Sequence, residues 1–295
     1  MITIAMPAYN AEKYIDEAIC SIIRQTYTEW ELIIVDDCSK DRTIEIVERY
    51  QKEYPQIRLV KRKENSGGCR LPRFDAILAA KGEYVCPIDA DDTIEPKYLE
   101  KLIKRIVSTS SDIVLSRMIV CDERQAPKGR TIPTMHYPIS TIFSGVEACK
   151  RTIGEWELGM NGLLAKTDLY QNYIKNAYKS CFNGSFADEI DHRKLLLCAK
   201  RVAIADASYL YRQQAQSIVH SVSPLSYKSL FANKQLLTFV TETFKEEAIL
   251  QKAYDEYLNN LYRAQQKLFL YYSTYTKAEI KSIQEIIKEH YLYTC

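Results

Sequence analysis

Three carboxylates fall within four residues at Asp89-Ala90-Asp91-Asp92, directly after the apolar stretch Glu83–Ile88. Carboxylates this close repel one another unless a cation or hydrogen-bond donors compensate. An all-oxygen cluster suits a hard divalent ion such as Mg2+ or Mn2+, which shares its remaining positions with substrate phosphates. The chemistry on offer is a metal site for a diphosphate. The bland alternative is a solvated turn before the helix at Pro96, with Asp92 or Thr93 near its cap. The tetrapeptide alone does not choose between them.

Other groups could serve the same end. Asp36-Asp37-Cys38-Ser39-Lys40-Asp41 closes a second apolar run. A carboxylate there can accept from a base N–H or from ribose hydroxyls, while Asp41 suits a helix cap. Pro7-Ala8-Tyr9-Asn10 offers Tyr9 as a stacking face, although Asn10 could be an ordinary N-cap. Asn65-Ser66-Gly67-Gly68 precedes Arg70 and Arg73, cations suited to diphosphate oxygens. Asp188-Glu189 could supply a general base, or simply acidic residues at a helix start. The four histidines, His136, His192, His220 and His290, include no i, i+4 pair, so a helical zinc site is not indicated.

The elements that must position these residues alternate. Strand-like runs at Ile2–Met6, Glu31–Val35, Ile57–Val60, Glu83–Ile88 and from Asp112 are separated by helix-like patterns. The helices are expected over Glu12–Gln25, Asp41–Tyr54, Leu71–Ala80 and Pro96–Val107. Strand–helix–strand units of this length imply a parallel sheet with right-handed crossovers. Continuous apolar strands imply helices on both faces. Ligands bind such sheets at the carboxyl ends of the strands, where Asp36, Asp37, Asp89, Asp91 and Asp92 fall. Cys121–Pro138 reads as a loop. Ser144–Thr152 and Asp188–Ala199 read as helices, and Val202–Tyr211 as a strand. From Leu225 the chain reads as helical, with a boundary near Pro224. Residues 1–224 and 225–295 are the expected units, and the stripe from Leu250 to Leu268 is expected to pack on the first of them.

Composition narrows the options. The chain has 295 residues, with 40 basic and 38 acidic, a net charge of +2. That near-balance argues against a nucleic-acid binder. Nine glycines accompany 22 tyrosines, and neither G-x-G-x-x-G nor a P-loop motif occurs, so phosphates must be handled without a glycine loop. The nine cysteines form no C-x-x-C pair and are expected to be small buried hydrophobes in a reducing cytoplasm. No secretory signal and no membrane-spanning apolar run is visible. The 225–295 region is only slightly basic, so no polybasic anchor is expected there.

In order and spacing, Pro7-Ala8-Tyr9-Asn10, Asp36 to Asp41, Asn65-x-Gly67 and Asp89-x-Asp91-Asp92 resemble family 2 glycosyltransferases. The likeness is close over roughly the first 110 residues. The resemblance implies a GT-A fold: an α/β, Rossmann-like, mostly parallel sheet with helices on both faces, here followed by a C-terminal helical region. It implies inverting transfer of a sugar from a nucleotide-diphosphate sugar, a UDP-sugar favoured, to an acceptor hydroxyl. The setting would be bacterial cell-surface polysaccharide or glycolipid synthesis. By resemblance, Pro7, Tyr9, Asn10, Asp36 or Asp37, Asn65, Gly67, Arg73, Asp89 and Arg212 serve the nucleotide sugar, with Ser217 in the segment that closes over it. Asp91 and Asp89 hold Mn2+ or Mg2+, with Asp91 the more direct ligand. The family's usual Glu-Asp pair is Asp188-Glu189 here; position favours Glu189 as base, with Asp188 second. Phe74 and Gln214 stand where Asn and His are common. Trp156 is a candidate for stacking an acceptor. The expected partners are the donor and a saccharide or lipid-linked saccharide acceptor, with no nucleic acid. A cytoplasmic location, peripheral contact with the inner membrane and a homodimer complete the expectations. Two rivals are a catalytically inactive domain of the same fold and a haloacid-dehalogenase-type phosphatase using Asp89 as nucleophile. The latter motif normally follows the first strand, not the fourth.

Overall fold

The computed structural model describes residues 1–131, 136–154, 158, 162–177, 187–213 and 224–292. Side chains of 129–131, 187, 189, 225, 291 and 292 fall outside the description. The first half follows the expected alternation. It runs β1 (Ile2–Ala8), α1 (Ile15–Ile23), β2 (Trp30–Asp36), α2 (Thr43–Glu53), β3 (Ile57–Lys61), α3 (Arg70–Leu78) and β4 (Tyr84–Pro87). A short β5 (Thr93–Ile94) then leads into α4 (Tyr98–Thr109) and β6 (Ile113–Cys121).

The second half is less regular. Where the sequence reads as a loop, β7 (Pro127–Thr131) folds back antiparallel on β6. Its Pro and Gly residues, which break a helix or central strand, are tolerated at a sheet edge. There follow β8 (Ile142–Phe143), α5 (Gly145–Lys150), β9 (Leu164–Lys166), α6 (Thr167–Ala177), α7 (Ala187–Cys198) and β10 (Val202–Arg212). Three helices end the chain: α8 (Ser229–Thr243), α9 (Glu247–Leu270) and α10 (Lys277–Leu292).

Among the described residues ten strands form one sheet, in the order β3-β2-β1-β4-β9-β6-β10-β5, with β7 on β6 and β8 on β10. The first four are parallel, as is β6 with β10. The short strands β5, β7, β8 and β9 join antiparallel. Three residues cannot announce a strand by periodicity, which is why β9 is invisible in the sequence. The chain winds one way from β1 to β3 and then returns to β1's other edge with β4. A crevice opens at such a switch point, outside the strand ends.

Alternation within each strand feeds two cores. Ile2, Ile4, Met6, Leu32 and Ile34 meet α1, α2 and α4 on one face, through Ile15, Ile19, Val47 and Leu102. Ala5, Ile33 and Val35 face α3, α5, α6 and α7, through Phe74, Ile77, Tyr170, Ile174 and Leu196. Each fully buried Ile or Leu contributes about 1.5–3 kcal/mol. Leu236, Phe239 and Val240 of α8, with Ala253 and Tyr257 of α9, join this second core. Leu250, Tyr254 and Tyr257 of the expected stripe pack on this core, whereas Leu261 and Leu268 pack instead within 225–295, in a small cluster with Tyr227, Tyr275 and Ile283, and Leu258 is exposed. No described helix is long and apolar enough to cross a membrane. The seven described cysteines are free; Cys86, Cys121 and Cys149 are buried, whereas Cys69 and Cys198 are exposed, against expectation.

Candidate active site

The loops after β1 and β2 are stitched together. The Asn10 N–H donates to Ser39 Oγ at 2.9 Å, and the Lys40 N–H donates to Asn10 Oδ1 at 2.8 Å. Asp41 accepts from the Glu12 and Thr43 N–H groups, each at 3.0 Å. Asn10 is therefore a loop tie with φ of 47°, not a helix cap. Pro7 lies in β1 beyond Ala5, the last residue paired to β4, so its missing N–H costs no bond on that side. Tyr9 follows, 51% exposed, as an open aromatic face at the crevice.

Asp36 and Asp37 are both buried, yet they differ. Asp37 is saturated by the protein: it accepts from the Ser66 N–H and hydroxyl at 2.9 Å, and Arg62 Nε lies 3.0 Å away. Asp36 Oδ2 accepts the Ser39 N–H at 3.1 Å, while its Oδ1 is buried with no partner. A buried carboxylate oxygen without a donor is costly. Asp36 is thus the one with an acceptor to spare for a ligand. Asn65 completes the neighbouring loop, donating to Asp37 O at 2.8 Å and accepting the Gly67 N–H at 2.9 Å. Gly67 has φ of +82°, a conformation that side chains resist.

Arg73 joins three elements. From α3 its buried guanidinium donates to Asp89 Oδ1 at 2.8 Å, past the end of β4, and to Asp188 Oδ2 at 3.3 Å at the start of α7. Burial works to raise the Asp188 carboxyl, but the Arg73 cation, with His192 beside it, holds it below the usual carboxylate range. His192 is buried too. Desolvation, reinforced by Arg73, depresses its imidazole to about 4 against the pull of Asp188, Asp191 and Asp89, so it is neutral at pH 7. Arg70, the other candidate cation, is sunk in a bidentate pair with Asp191 and is not at the crevice surface.

The acidic turn is built from behind by β10. The Tyr209 hydroxyl receives the Asp89 N–H at 3.2 Å and donates to Asp92 Oδ2 at 2.7 Å. Asp92 also accepts the Arg212 N–H at 2.7 Å. Burial, with the charges of Asp91 and Asp89, pushes the Asp92 carboxyl well up despite these donors. Asp92 is therefore an inward brace rather than a solvated turn residue or helix cap. Arg212 is equally occupied. Its Nε donates to Asp91 O at 2.8 Å, and its other nitrogens reach Glu123 O and the Glu17 carboxylate. A register break in β10 between Ile204 and Ser208 sets Tyr209 opposite Ile94 of β5, within reach of the turn. Gly162, with φ of +70°, leaves room for the Tyr209 and Tyr98 rings where a Cβ would collide.

Asp89, paired with Arg73, and Asp91 are half-buried at the strand end. Among the described residues no three His, Cys, Asp or Glu side chains converge as a metal cage. Two carboxylates with only oxygen donors still fit Mg2+ or Mn2+, which take one or two protein ligands beside substrate phosphates and water. Glu189's side chain, Trp156, Gln214 and Ser217 lie outside the described residues. Sequence reasoning missed Tyr209, Asp92's bracing role and His192. The alternation of Tyr209 and Tyr211 along a strand was the available hint for the first, and no local signal marked the others.

The profile of glycosyl transferase family 2 matches residues 3–159, more than half of the chain. The chain belongs to glycosyl transferase family 2. It is 29% identical over 229 residues to the glycosyltransferase GlyG of Streptococcus pneumoniae serotype 4, covering 77% of this chain and 75% of that one. It is 28% identical over 265 residues to the poly(ribitol-phosphate) beta-N-acetylglucosaminyltransferase TarS of Staphylococcus aureus, covering 87% of this chain but 43% of that one. The crystal structure of S. aureus TarS 1-349 in complex with UDP-GlcNAc matches with a TM-score of 0.65 at 25% identity, over 96% of this chain and 78% of that chain. The protein is thus a glycosyltransferase with the α/β sheet of that fold. Asp89 follows the fourth strand of the sheet, so the phosphatase reading has no support.

Proposed function

We propose that the protein transfers a sugar from a UDP-sugar to a hydroxyl of a cell-surface polysaccharide or glycolipid precursor, with inversion. The observation that carries this reading is that Asp36, Tyr9, Asp89 and Asp91 lie at or after the ends of the adjacent parallel strands β2, β1 and β4, with Arg73 bonded to Asp89. The UDP-GlcNAc in the matching TarS structure and the ribitol-phosphate polymer in that enzyme's name support donor and acceptor class. Tyr9 stacks the base and Asp36 Oδ1 accepts its N–H. Asp91 and Asp89 would hold Mn2+ or Mg2+, which when bound neutralises charge developing on the leaving diphosphate. The acceptor oxygen bonds to the anomeric carbon as the bond from that carbon to the phosphate oxygen breaks. Its proton passes to a carboxylate, and the electron pair leaves with the diphosphate. Asp188 is a weak base because Arg73 holds its proton affinity down. That supports Glu189 as the base, with Asp188 and Arg73 fixing the start of α7. A cytoplasmic location accompanies this donor reading.

The test is calorimetric binding of UDP-, GDP- and dTDP-sugars with Mn2+ or Mg2+, followed by transfer assays with saccharide and polyol-phosphate acceptors. We expect UDP-sugar binding and turnover. No binding of any nucleotide sugar would overturn the reading. Binding without turnover across all acceptors would favour the inactive-domain alternative. In the same titrations Asp91→Asn is expected to abolish the metal-supported part of UDP binding with the melting temperature unchanged; unchanged binding would remove Asp91 from the metal site.

A further inference from the structure

We propose that the corner where α9 meets α10 docks on an anionic lipid bilayer, an assignment that does not depend on which sugar is moved. The corner is formed by the end of α9, a 3-10 turn at Tyr272–Thr274 and the start of α10. It carries the most exposed apolar side chains described: Phe269 at 83% and Leu270 at 71%, flanked by Tyr262 at 59% and Tyr272 at 52%. Large exposed apolar groups gathered in one place mark a contact surface. The platform beneath is firm, since Tyr227, Leu261, Tyr275 and Ile280 pack under the turn and the Tyr227 and Tyr275 hydroxyls lie 3.4 Å apart.

Charge selects the occupant. Residues 257–278 contain no Asp or Glu, where the chain-wide average would place about three. The same stretch holds Arg263, Lys267 and Lys277, and Lys281 follows one turn later. Arg263, Lys277 and Lys281 are exposed. Glu279, the acid that follows this stretch, stays ionised as its carboxylate accepts the Thr276 N–H and hydroxyl at 2.8 Å, and Lys277 and Lys281 on either side of it in sequence outnumber its charge. Tyr and Phe beside Leu, ringed by cations, is the composition that seats at the boundary of headgroups and acyl chains. Exposed apolar side chains beside cations suit a bilayer surface carrying anionic headgroups. A symmetric contact with a second copy would set this cationic patch against the same patch, a like-charge arrangement that opposes pairing. The near-balanced charge of 225–295 as a whole conceals this tip, because all its acids but Glu279 lie on α8, at the start and middle of α9, or later on α10.

The full chain should co-sediment with vesicles of equimolar phosphatidylcholine and phosphatidylglycerol, and much less with pure phosphatidylcholine. Phe269→Ser combined with Leu270→Ser should weaken that binding by about tenfold or more. Lys277→Glu combined with Lys281→Glu should also weaken it and flatten its salt dependence. UDP binding should stay unchanged in both, which separates this result from the fate of the transferase reading. If the serine variant melts early, the charge-reversed variant carries the test alone. Failure of the unmodified chain to bind anionic vesicles overturns the proposal. So does binding that neither variant alters. Self-association lost in the serine variant, without vesicle binding, would overturn it in favour of a second copy.

Discussion

Arg73 Nη2 lies 2.8 Å from Asp89 Oδ1, tying the helix after the Asn65–Gly67 loop to the first carboxylate of the acidic turn. The same guanidinium reaches Asp188, so one cation spans three elements of the site. Arg73→Ala leaves two acidic groups facing each other across a desolvated space. We expect a loss of about 3 kcal/mol in stability, the low end for breaking a buried pair. Arg73→Lys should keep the charge but not the fork, and so fold better while still losing UDP-sugar affinity. Urea denaturation with calorimetry checks both; full affinity in the lysine variant would deny the bridge a binding role.

Asp36 and Asp37 should separate cleanly on mutation. Asp37→Ala strips acceptors from Ser66 and a partner from Arg62, and should cost about 1–3 kcal/mol. Asp36→Asn keeps shape and volume but offers an amide in place of one acceptor. It should leave the melting temperature near its original value and weaken UDP binding by about tenfold, equivalent to about 1.4 kcal/mol. The reverse pattern would exchange the assignments.

His192 makes stability fall in acid. Its folded value is depressed to about 4, chiefly by burial and then by Arg73. Below about 6.5 the unfolded chain takes a proton that the folded chain refuses. Stability is therefore lost as pH drops from about 6.5 to about 4, by about 3 kcal/mol at the limit. Asp188, depressed by Arg73, adds its own loss below the usual carboxylate range. His192→Phe should flatten the upper part of this decline in urea melts at pH 7.5 and 4.5. Equal acid losses in both proteins would remove His192 from the account.

Tyr209 braces the acidic turn through one hydroxyl. Tyr209→Phe leaves Asp92 buried with one donor fewer and frees the Asp89 N–H. We expect a stability loss of about 1–3 kcal/mol and a fall in kcat/KM that exceeds the loss in UDP affinity. A variant with unchanged transfer kinetics would show that the turn keeps its shape without the tyrosine.

The helices after Pro224 should be inseparable from the rest. Leu236, Phe239, Val240 and Tyr257 share a core with α5 and α7, and buried Arg193 donates to Thr152 O at 2.7 Å with Glu256 of α9 at 3.7 Å. We propose that 225–295 is an extension that folds only upon 1–224. A chain truncated at 224 should aggregate or unfold at room temperature. A soluble truncation with native circular dichroism would refute this.

Much of this protein is legible in its sequence, and the reason is range. The strands β1, β2 and β4 announce themselves through short apolar runs, and α1, α2 and α4 through 3.6-residue spacing, because each pattern lies within one segment. The carboxylates at the ends of β2 and β4 are placed by the same local logic, since parallel strands gather their carboxyl ends at one edge. What the residues do with one another is a long-range matter. Arg73 meets Asp188 across 115 residues and Tyr209 meets Asp92 across 117. Neither partner carries a local mark of the other. Asp36 and Asp37 look interchangeable as neighbours, and only the fold saturates one and leaves the other with an unpartnered oxygen. Burial, desolvation and donor supply are set by what distant segments bring alongside. Sequence alone therefore determined where the chemistry sits, and tertiary structure decided which groups are braces and which are left to meet a ligand.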